Sequence, residues 1–506
     1  MKLKRWIFIL SVAICALSLR AQDSKEVEAL KQQLRQVLAV QEEQRQRIDA
    51  LTRQLQELTK TQAVDADKKK LEQQLASELQ KDLAAPAAQP VARPTPAPWS
   101  PSQPITVARS GSSYMNMSFD GLFTVGGSTA KDIDGGTQLG GHDPKQNGFT
   151  VQNLELTLDG KVDPYFRGQA NIVMQLTPHG DTTIEAEEAY IETTSLPGNL
   201  QLKLGQFFTE FGRLNPTHPH SWSFVDQPLV NGRFFGEDGL RNPGARLSWL
   251  MPTPFYSELF LAVQNSQGGT AHSFRDDHES AIFLGRPNTQ GGVRGVNDML
   301  FVPRYAASFE LNDTQTLVAG ASAAFGPNGS GGNANTQVYG LDTFWKWKPA
   351  NAEGGFPFVS WQTEAMLRRY QAGAYSNAAD DLNGNGLING AERDLYGDGL
   401  VHTVPRETLN DWGAYSQISW GFRKGWVAAL RGDYVTSDTA AYEKLFGRDP
   451  DRATRWRISP NLTWYPSEFS KIRLQYNFDQ RDLIGADHSI WLQYEFMLGA
   501  HSAHKF

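Results

Sequence analysis

A twelve-residue segment, 381–392, places oxygen-bearing groups at the spacing of an EF-hand calcium loop. Positions one, three, five, seven, nine and twelve are Asp381, Asn383, Asn385, Leu387, Asn389 and Glu392. Leu387 would offer its carbonyl, Asn389 would act through water, and Glu392 could bind through both oxygens. Only two of these side chains are charged, so we expect weak calcium binding, with a dissociation constant of roughly 10⁻⁴–10⁻³ M. The alternative is a flexible loop rich in Asn and Gly.

Two pairs of histidines could chelate a metal ion. His218 and His220 lie among prolines and would share a face of an extended chain. His501 and His504 could meet on a helical turn, whereas on a strand their side chains would point to opposite faces. Polar roles without a metal are the alternative for both pairs. The sequence contains no G-x-S-x-G, no H-E-x-x-H and no phosphate-binding glycine loop, and we expect no enzymatic activity.

The first residues resemble an export signal. Lys2, Lys4 and Arg5 precede an apolar stretch, and Ala21 is a plausible cleavage site, which predicts a signal peptide over 1–21. The single cysteine, Cys15, falls inside it, so the mature chain would have no thiol; a lipoprotein cysteine is the alternative. No later segment is apolar and long enough to be a membrane-spanning helix.

Residues 22–84 are expected to form a periplasmic coiled coil. Alternate spacings of three and four residues separate Val27, Leu30, Leu34, Val37, Gln41, Gln44, Ile48, Leu51, Leu55 and Leu58. This spacing puts the ten side chains on one seam of a left-handed coiled coil. A lone amphipathic helix is the alternative. Residues 85–108 are rich in Pro and Ala and are expected to form a semi-rigid linker.

Beyond the linker, apolar and polar residues alternate in short runs, which is typical of β-strands. We predict about sixteen strands, near 113–124, 148–161, 165–177, 183–194, 199–206, 243–251, 256–264, 303–312, 315–325, 336–347, 358–371, 412–421, 425–437, 453–464, 469–479 and 488–498. Alternation alone fits either a soluble sandwich or a membrane barrel. Short turns such as Asp163-Pro164 alternate with long loops such as 207–242. This sorting favours an all-β transmembrane barrel over 109–506, in the outer membrane.

Several strand motifs resemble the phosphate-selective porin O and P family. They are GFTVQNLELTLDGKVDPYFRGQANIVMQL over 148–176, Glu188-Ala189-Tyr190-Ile191, and Leu204-Gly205-Gln206-Phe207. The resemblance implies a homotrimer of 16-stranded barrels with diffusive transport, and it implies that residues 207–242 form a loop folded into the pore. That loop offers Arg213, Arg233 and Arg241 but no lysine, so selectivity for phosphate is not predicted.

Five cations on neighbouring predicted strands are expected to form one basic patch on the pore wall. They are Arg431, Arg455, Arg457, Lys471 and Arg473. Arginine facing lipid at mid-membrane would cost about 2–4 kcal/mol, so these side chains should face water. We therefore expect a passive channel for small polar or anionic solutes, contacting outer-membrane lipid and no nucleic acid. A TonB-dependent-receptor-like uptake protein and a barrel that tethers the envelope are the alternatives.

Overall fold

The computed structural model describes residues 105–276, 282–289, 291–331, 333–389 and 394–499. The predicted signal peptide, coiled coil and most of the linker lie outside these ranges, as do Glu392, His501 and His504. No helix among the described residues is long and apolar enough to cross a membrane.

Sixteen strands close into one antiparallel barrel. They are β2 (Ser113–Ser128), β3 (Gly148–Lys161), β4 (Phe166–Leu176), β5 (Thr182–Thr193), β6 (Leu200–Phe208), β7 (Arg241–Leu250), β8 (Tyr256–Asn265), β11 (Met299–Asn312), β12 (Gln315–Pro327), β13 (Asn335–Trp347), β14 (Phe358–Ala372), β17 (Glu407–Arg423), β18 (Trp426–Ser437), β19 (Arg455–Ser467), β20 (Ser470–Arg481) and β21 (Gly485–Leu498). Each strand pairs with its neighbours in the chain, and β2 pairs with β21 from Phe119↔Leu498 to Ser128↔Ser489 to close the ring. The predicted sixteen-stranded barrel is confirmed.

The remaining elements are short. Strand β1 (Ile105–Ser110) begins within the segment expected to be linker and pairs with the start of β2. Two-residue strands form outside the barrel wall: β9 (Ile282–Phe283), β10 (Arg286–Pro287), β15 (Tyr375–Ser376) and β16 (Thr403–Val404). The described helices are α1 (Leu229–Phe235) and α2 (Glu443–Phe446), with 3-10 turns at Pro197–Asn199, Pro219–Ser221 and Val296–Asp298.

Side chains alternate between the two faces of the wall along most of each strand. Along β20, Lys471, Arg473 and Gln475 are buried inside, whereas Leu474 and Tyr476 are exposed on the outer face. The outer face carries large apolar and aromatic residues, including Trp361, Trp412, Trp420, Phe422, Trp464 and Phe496. A polar interior with an apolar and aromatic exterior is the arrangement of a membrane-spanning barrel.

The connections are short at one end of the barrel and mostly long at the other. Asn312 to Gln315 and Arg423 to Trp426 are tight turns, whereas 209–240 and 266–298 are long loops. The strand that we predicted to begin at 412 begins at Glu407. It is longer because Thr408 and Leu409 continue the pairing with β14.

Candidate functional site: the inner loop and its histidine–carboxylate cluster

The loop between β6 and β7, residues 209–240, folds into the barrel; we call it the inner loop. Its two ends are joined by the Thr209 amide, which donates to the Leu240 carbonyl at 2.9 Å. Asn215 strengthens the link between the two ends of the loop, because its side chain donates to the carbonyls of Thr209 and Leu240 and accepts from the Leu240 amide. The inner loop is therefore held as a closed unit at its base.

The inner loop reaches walls on opposite sides of the lumen. The Leu214 amide donates to Glu364 on β14 at 2.8 Å. The Val225 amide donates to Gln475 on β20 at 2.8 Å, and the Val225 carbonyl accepts from Gln152 on β3 at 3.0 Å. A loop that spans the lumen in this way narrows any path through the barrel.

An apolar core lies between the inner loop and one side of the wall. The loop and its flanking strand supply Phe207, Phe211, Leu229, Val230, Phe234, Phe235 and Leu240, and the wall supplies Ala262, Leu300, Val302, Ala324, Val338, Met366, Tyr415 and Val435. Burial of this apolar surface stabilises the folded-in position of the loop.

Asp226 is the centre of the polar contacts between the inner loop and the adjoining strands β18–β20. Its carboxylate accepts from Arg431 at 2.6 Å and Arg457 at 2.9 Å, and also from Gln475 and Asn477. Burial alone would raise the pKa of Asp226, but the guanidinium groups of Arg431 and Arg457 outweigh it and hold the pKa at about 2. The carboxylate is therefore ionised at neutral pH and fixes the loop to β18, β19 and β20.

The predicted basic patch lies on the inner face of β18–β20, and all five side chains are buried. Arg455 and Arg457 both bind Asp479, at 2.7 and 2.6 Å, and Lys471 pairs with Glu495. Arg473 donates to the Trp222 carbonyl of the inner loop at 2.9 Å and to Gln493 and Thr463. Most of this positive charge is thus compensated by carboxylates, and the patch also anchors the loop.

The three arginines predicted for the constriction point to different places. The Arg213 guanidinium lies 3.9 Å from the centre of the Phe344 ring. Arg233 donates to the Ala453 carbonyl at 2.9 Å, and Arg241 pairs with Glu185 at 3.2 Å. The structure therefore does not bring them together as one anion-binding cluster.

A cluster of histidines and carboxylates fills the space between the inner loop, β3 and β5. His218 Nδ1 lies 2.8 Å from Glu187 and 3.4 Å from Glu155, and His218 Nε2 lies 3.0 Å from Glu188. His220 Nδ1 lies 3.3 Å from the second oxygen of Glu155. Burial would lower the pKa of His218, but Glu155 and Glu187 outweigh burial and raise that pKa well above its usual value.

A β-bulge brings two consecutive glutamates into this cluster. Asn171 pairs with Glu188 and the next residue, Ile172, pairs with Ala186, so Glu187 is an extra residue on β5. The extra residue turns both Glu187 and Glu188 inward, where regular alternation would allow only one of them. His218 and His220 can be recognised in the sequence as candidate ligands, whereas these two carboxylates cannot be connected with them from the sequence. The adjacent pair of acids in a strand was the signal that could have shown the bulge.

Close contact between β5 and β6 explains the glycine of the Leu204-Gly205-Gln206-Phe207 motif. Gly205 has φ +133°, and a Cβ atom there would lie 2.2 Å from the Ala189 carbonyl oxygen. A larger residue would push β6 away from β5 at the base of the inner loop.

The predicted calcium loop has local turns that suit cation binding. Asp381 accepts from the Gly386 amide at 2.8 Å, and Asn385 accepts from the Leu387 amide at 2.8 Å. The following segment repeats the pattern, because Asp394 accepts from the Gly399 amide at 2.8 Å. The two segments are joined by a β-bridge between Leu387 and Leu400. Of the predicted ligand residues, Asp381 to Asn389 are described, and calcium binding stays a prediction.

The fold and its inner loop define a sixteen-stranded transmembrane β-barrel whose lumen is crossed by its own chain. No family model matches the sequence. An uncharacterized protein of Aquifex aeolicus is 29% identical over 393 residues, which cover 72% of this chain and 73% of that protein.

Solved structures of outer-membrane channels are similar at low sequence identity. The outer-membrane channel DcaP of Acinetobacter baumannii is 12% identical, with 77% of this chain and 99% of that chain covered and a TM-score of 0.47. The anion-selective porin from Comamonas acidovorans is 8% identical, with 76% and 100% covered and a TM-score of 0.44. OprB of Pseudomonas putida is 10% identical, with 76% and 94% covered and a TM-score of 0.44.

Proposed function

We propose that this protein is an outer-membrane porin that lets small polar or anionic solutes diffuse passively through its lumen. The observation that carries the proposal is the closed sixteen-stranded wall, polar inside and apolar outside, with a long loop folded into it. Barrels of sixteen to eighteen strands can enclose an aqueous channel, whereas the plugged transporters of the outer membrane have 22 strands. The strand number therefore supports a porin over a TonB-dependent receptor.

The charges of the basic patch support a modest preference for anions. The five cations of the basic patch face four carboxylates, those of Asp226, Asp433, Asp479 and Glu495. The net charge of these five cations and four carboxylates is +1, which is too little for a dedicated phosphate filter. We therefore propose a channel with weak discrimination among small solutes and no specific phosphate site.

We further propose a homotrimer whose N-terminal coiled coil, residues 22–84, lies in the periplasm. The resemblance to a family of trimeric porins and the heptad pattern support this arrangement. The calcium loop over 381–392, in which Asp381 accepts from the Gly386 amide, is proposed to bind calcium weakly outside the barrel wall.

Single-channel recording in a planar lipid bilayer tests the porin proposal. The full-length protein should give discrete, ohmic conductance steps without any energy source. Asp298→Asn is a suitable control variant, because Asp298 pairs with Arg275 at 2.8 Å in an external loop and its side chain is partly exposed. That variant should conduct like the unmodified protein. A folded, membrane-inserted protein without conductance would contradict the porin function and favour a tethering role.

A further inference from the structure

The histidine–carboxylate cluster has the spacing of a metal site. The ligand atoms of Glu155, Glu187 and His218 all lie within 4.8 Å of one another, and His218 Nδ1 is 2.8 Å from Glu187 and 3.4 Å from Glu155. In a tetrahedral site with bonds of about 2.0–2.2 Å, neighbouring ligand atoms are about 3.3–3.6 Å apart. Small side-chain adjustments would therefore place all three atoms around one ion.

The groups behind these ligands hold them in position. His218 Nε2 faces Glu188 at 3.0 Å, and the other oxygen of Glu188 accepts from the Phe208 amide at 2.9 Å. A carboxylate that receives the second N–H of an imidazole leaves Nδ1 available as a metal ligand, and it is a common feature of metal sites. Glu155 is held in turn by hydrogen bonds from Thr157 and Asn171.

An excess of buried negative charge points independently to a bound cation. Four carboxylates converge here, those of Asp120, Glu155, Glu187 and Glu188, and their ion-pair partners are the imidazoles of His142, His218 and His220. The cluster therefore holds one buried carboxylate more than it holds imidazoles.

The carboxylate of Asp120 has the weakest contacts with the imidazoles of the cluster. The residue is fully buried, neither of its oxygens has a hydrogen-bond partner among the described residues, and one oxygen faces His220 Nδ1 at 3.9 Å. Buried carboxylates are costly unless they are paired or bind a metal.

We propose that Glu155, Glu187 and His218 bind a divalent transition-metal ion of the zinc class, with His220 and Asp120 beside the site. A ligand set of imidazole and carboxylate without thiolate suits Zn²⁺ and related ions, whereas Ca²⁺ and Mg²⁺ prefer oxygen ligands alone. The ion would connect β3 and β5 to the inner loop. This site goes beyond the proposed pore function and needs no conductance to be tested.

Isothermal titration of the chelator-treated, full-length protein in detergent with Zn²⁺ tests the site. Excess calcium is included so that the 381–392 loop does not contribute. Glu187→Gln removes a ligand charge at nearly constant shape. Glu192→Gln is the matched control, because it makes the same change on the same strand but breaks only the pair with Arg167, whose Nε lies 2.6 Å from Glu192.

We expect one high-affinity Zn²⁺ ion per chain, and the affinity should fall more than ~100-fold in Glu187→Gln, since even residues behind the ligands contribute about 10–100-fold. Glu192→Gln and a His501→Ala/His504→Ala variant should bind like the unmodified protein. Equal affinity in Glu187→Gln, or loss of binding in the His501/His504 variant, would overturn the proposal.

A second measurement covers the case in which Glu187→Gln does not fold. X-ray absorption of the Zn²⁺-loaded unmodified protein should show a nitrogen and oxygen shell at about 2.0–2.2 Å, with imidazole scattering that is lost in His218→Gln. A spectrum without imidazole, or failure of the unmodified protein to bind Zn²⁺, would refute the site.

Discussion

Replacing Asp226 with Asn should release the inner loop from the wall. The carboxylate is fully buried between Arg431 and Arg457, and its pKa lies at about 2 compared with the ordinary 3.8. Removing one partner of a buried ion pair typically costs about 3–5 kcal/mol. The free energy of loop opening should therefore fall by about 3–5 kcal/mol.

Hydrogen exchange measured by mass spectrometry reports this opening directly. The amides of Val225, Gln227 and Leu229 donate to Gln475, Asp143 and Asp433 at 2.8, 2.9 and 3.1 Å. Because these bonds break when the loop opens, a loss of about 3 kcal/mol should speed exchange of the three amides about 100-fold or more.

The pH dependence has a defined sign. The pKa of Asp226 is depressed in the folded protein, so its contribution is complete above the ordinary value of 3.8 and is lost as the pH falls towards 2. The unmodified loop should approach the Asp226→Asn behaviour over that range. Asp298→Asn should leave exchange in the inner loop unchanged. A change of less than threefold in Asp226→Asn at pH 7 would refute the reasoning.

Three further predictions concern assembly, calcium and selectivity. Crosslinking of detergent-extracted protein should give a ladder that ends at three chains; a ladder ending at two would contradict the trimer. Glu392→Gln should weaken calcium binding in isothermal titration without changing conductance, and an unchanged affinity would remove the site. Arg455→Ala/Arg457→Ala/Arg473→Ala should reduce the anion preference in reversal potentials under a salt gradient. Arg473→Gln serves as the milder variant, and unchanged selectivity in both would exclude the anion path.

The barrel could be predicted from the sequence because alternation is a local property. Within each strand the sequence itself shows which residues face inward and which face outward. On β20, Lys471 and Arg473 face the interior and Leu474 faces outward. The order of short and long connections then gives the topology. All sixteen predicted strands are present, with ends that differ by a few residues.

The site could not be predicted in the same way, because its contacts join distant segments. Asp226 binds Arg431 and Arg457, which lie more than two hundred residues further along the chain. A periodic sequence pattern cannot predict a pairing over that distance. The bulge at Glu187 also hid the cluster, since it breaks the alternation that identified the strands. The histidines were recognised as possible ligands, but their carboxylate partners lie on other strands.

The apolar core of the inner loop sets an order of events during assembly. Phe234 and Phe235 pack against residues as far along the chain as Val435, and contacts of such long range form late in folding. The loop can dock only when β18 has taken its place in the wall. Until then its phenylalanine side chains are not covered by the wall. Burial of Phe234 and Phe235 therefore depends on strands that follow them in the chain.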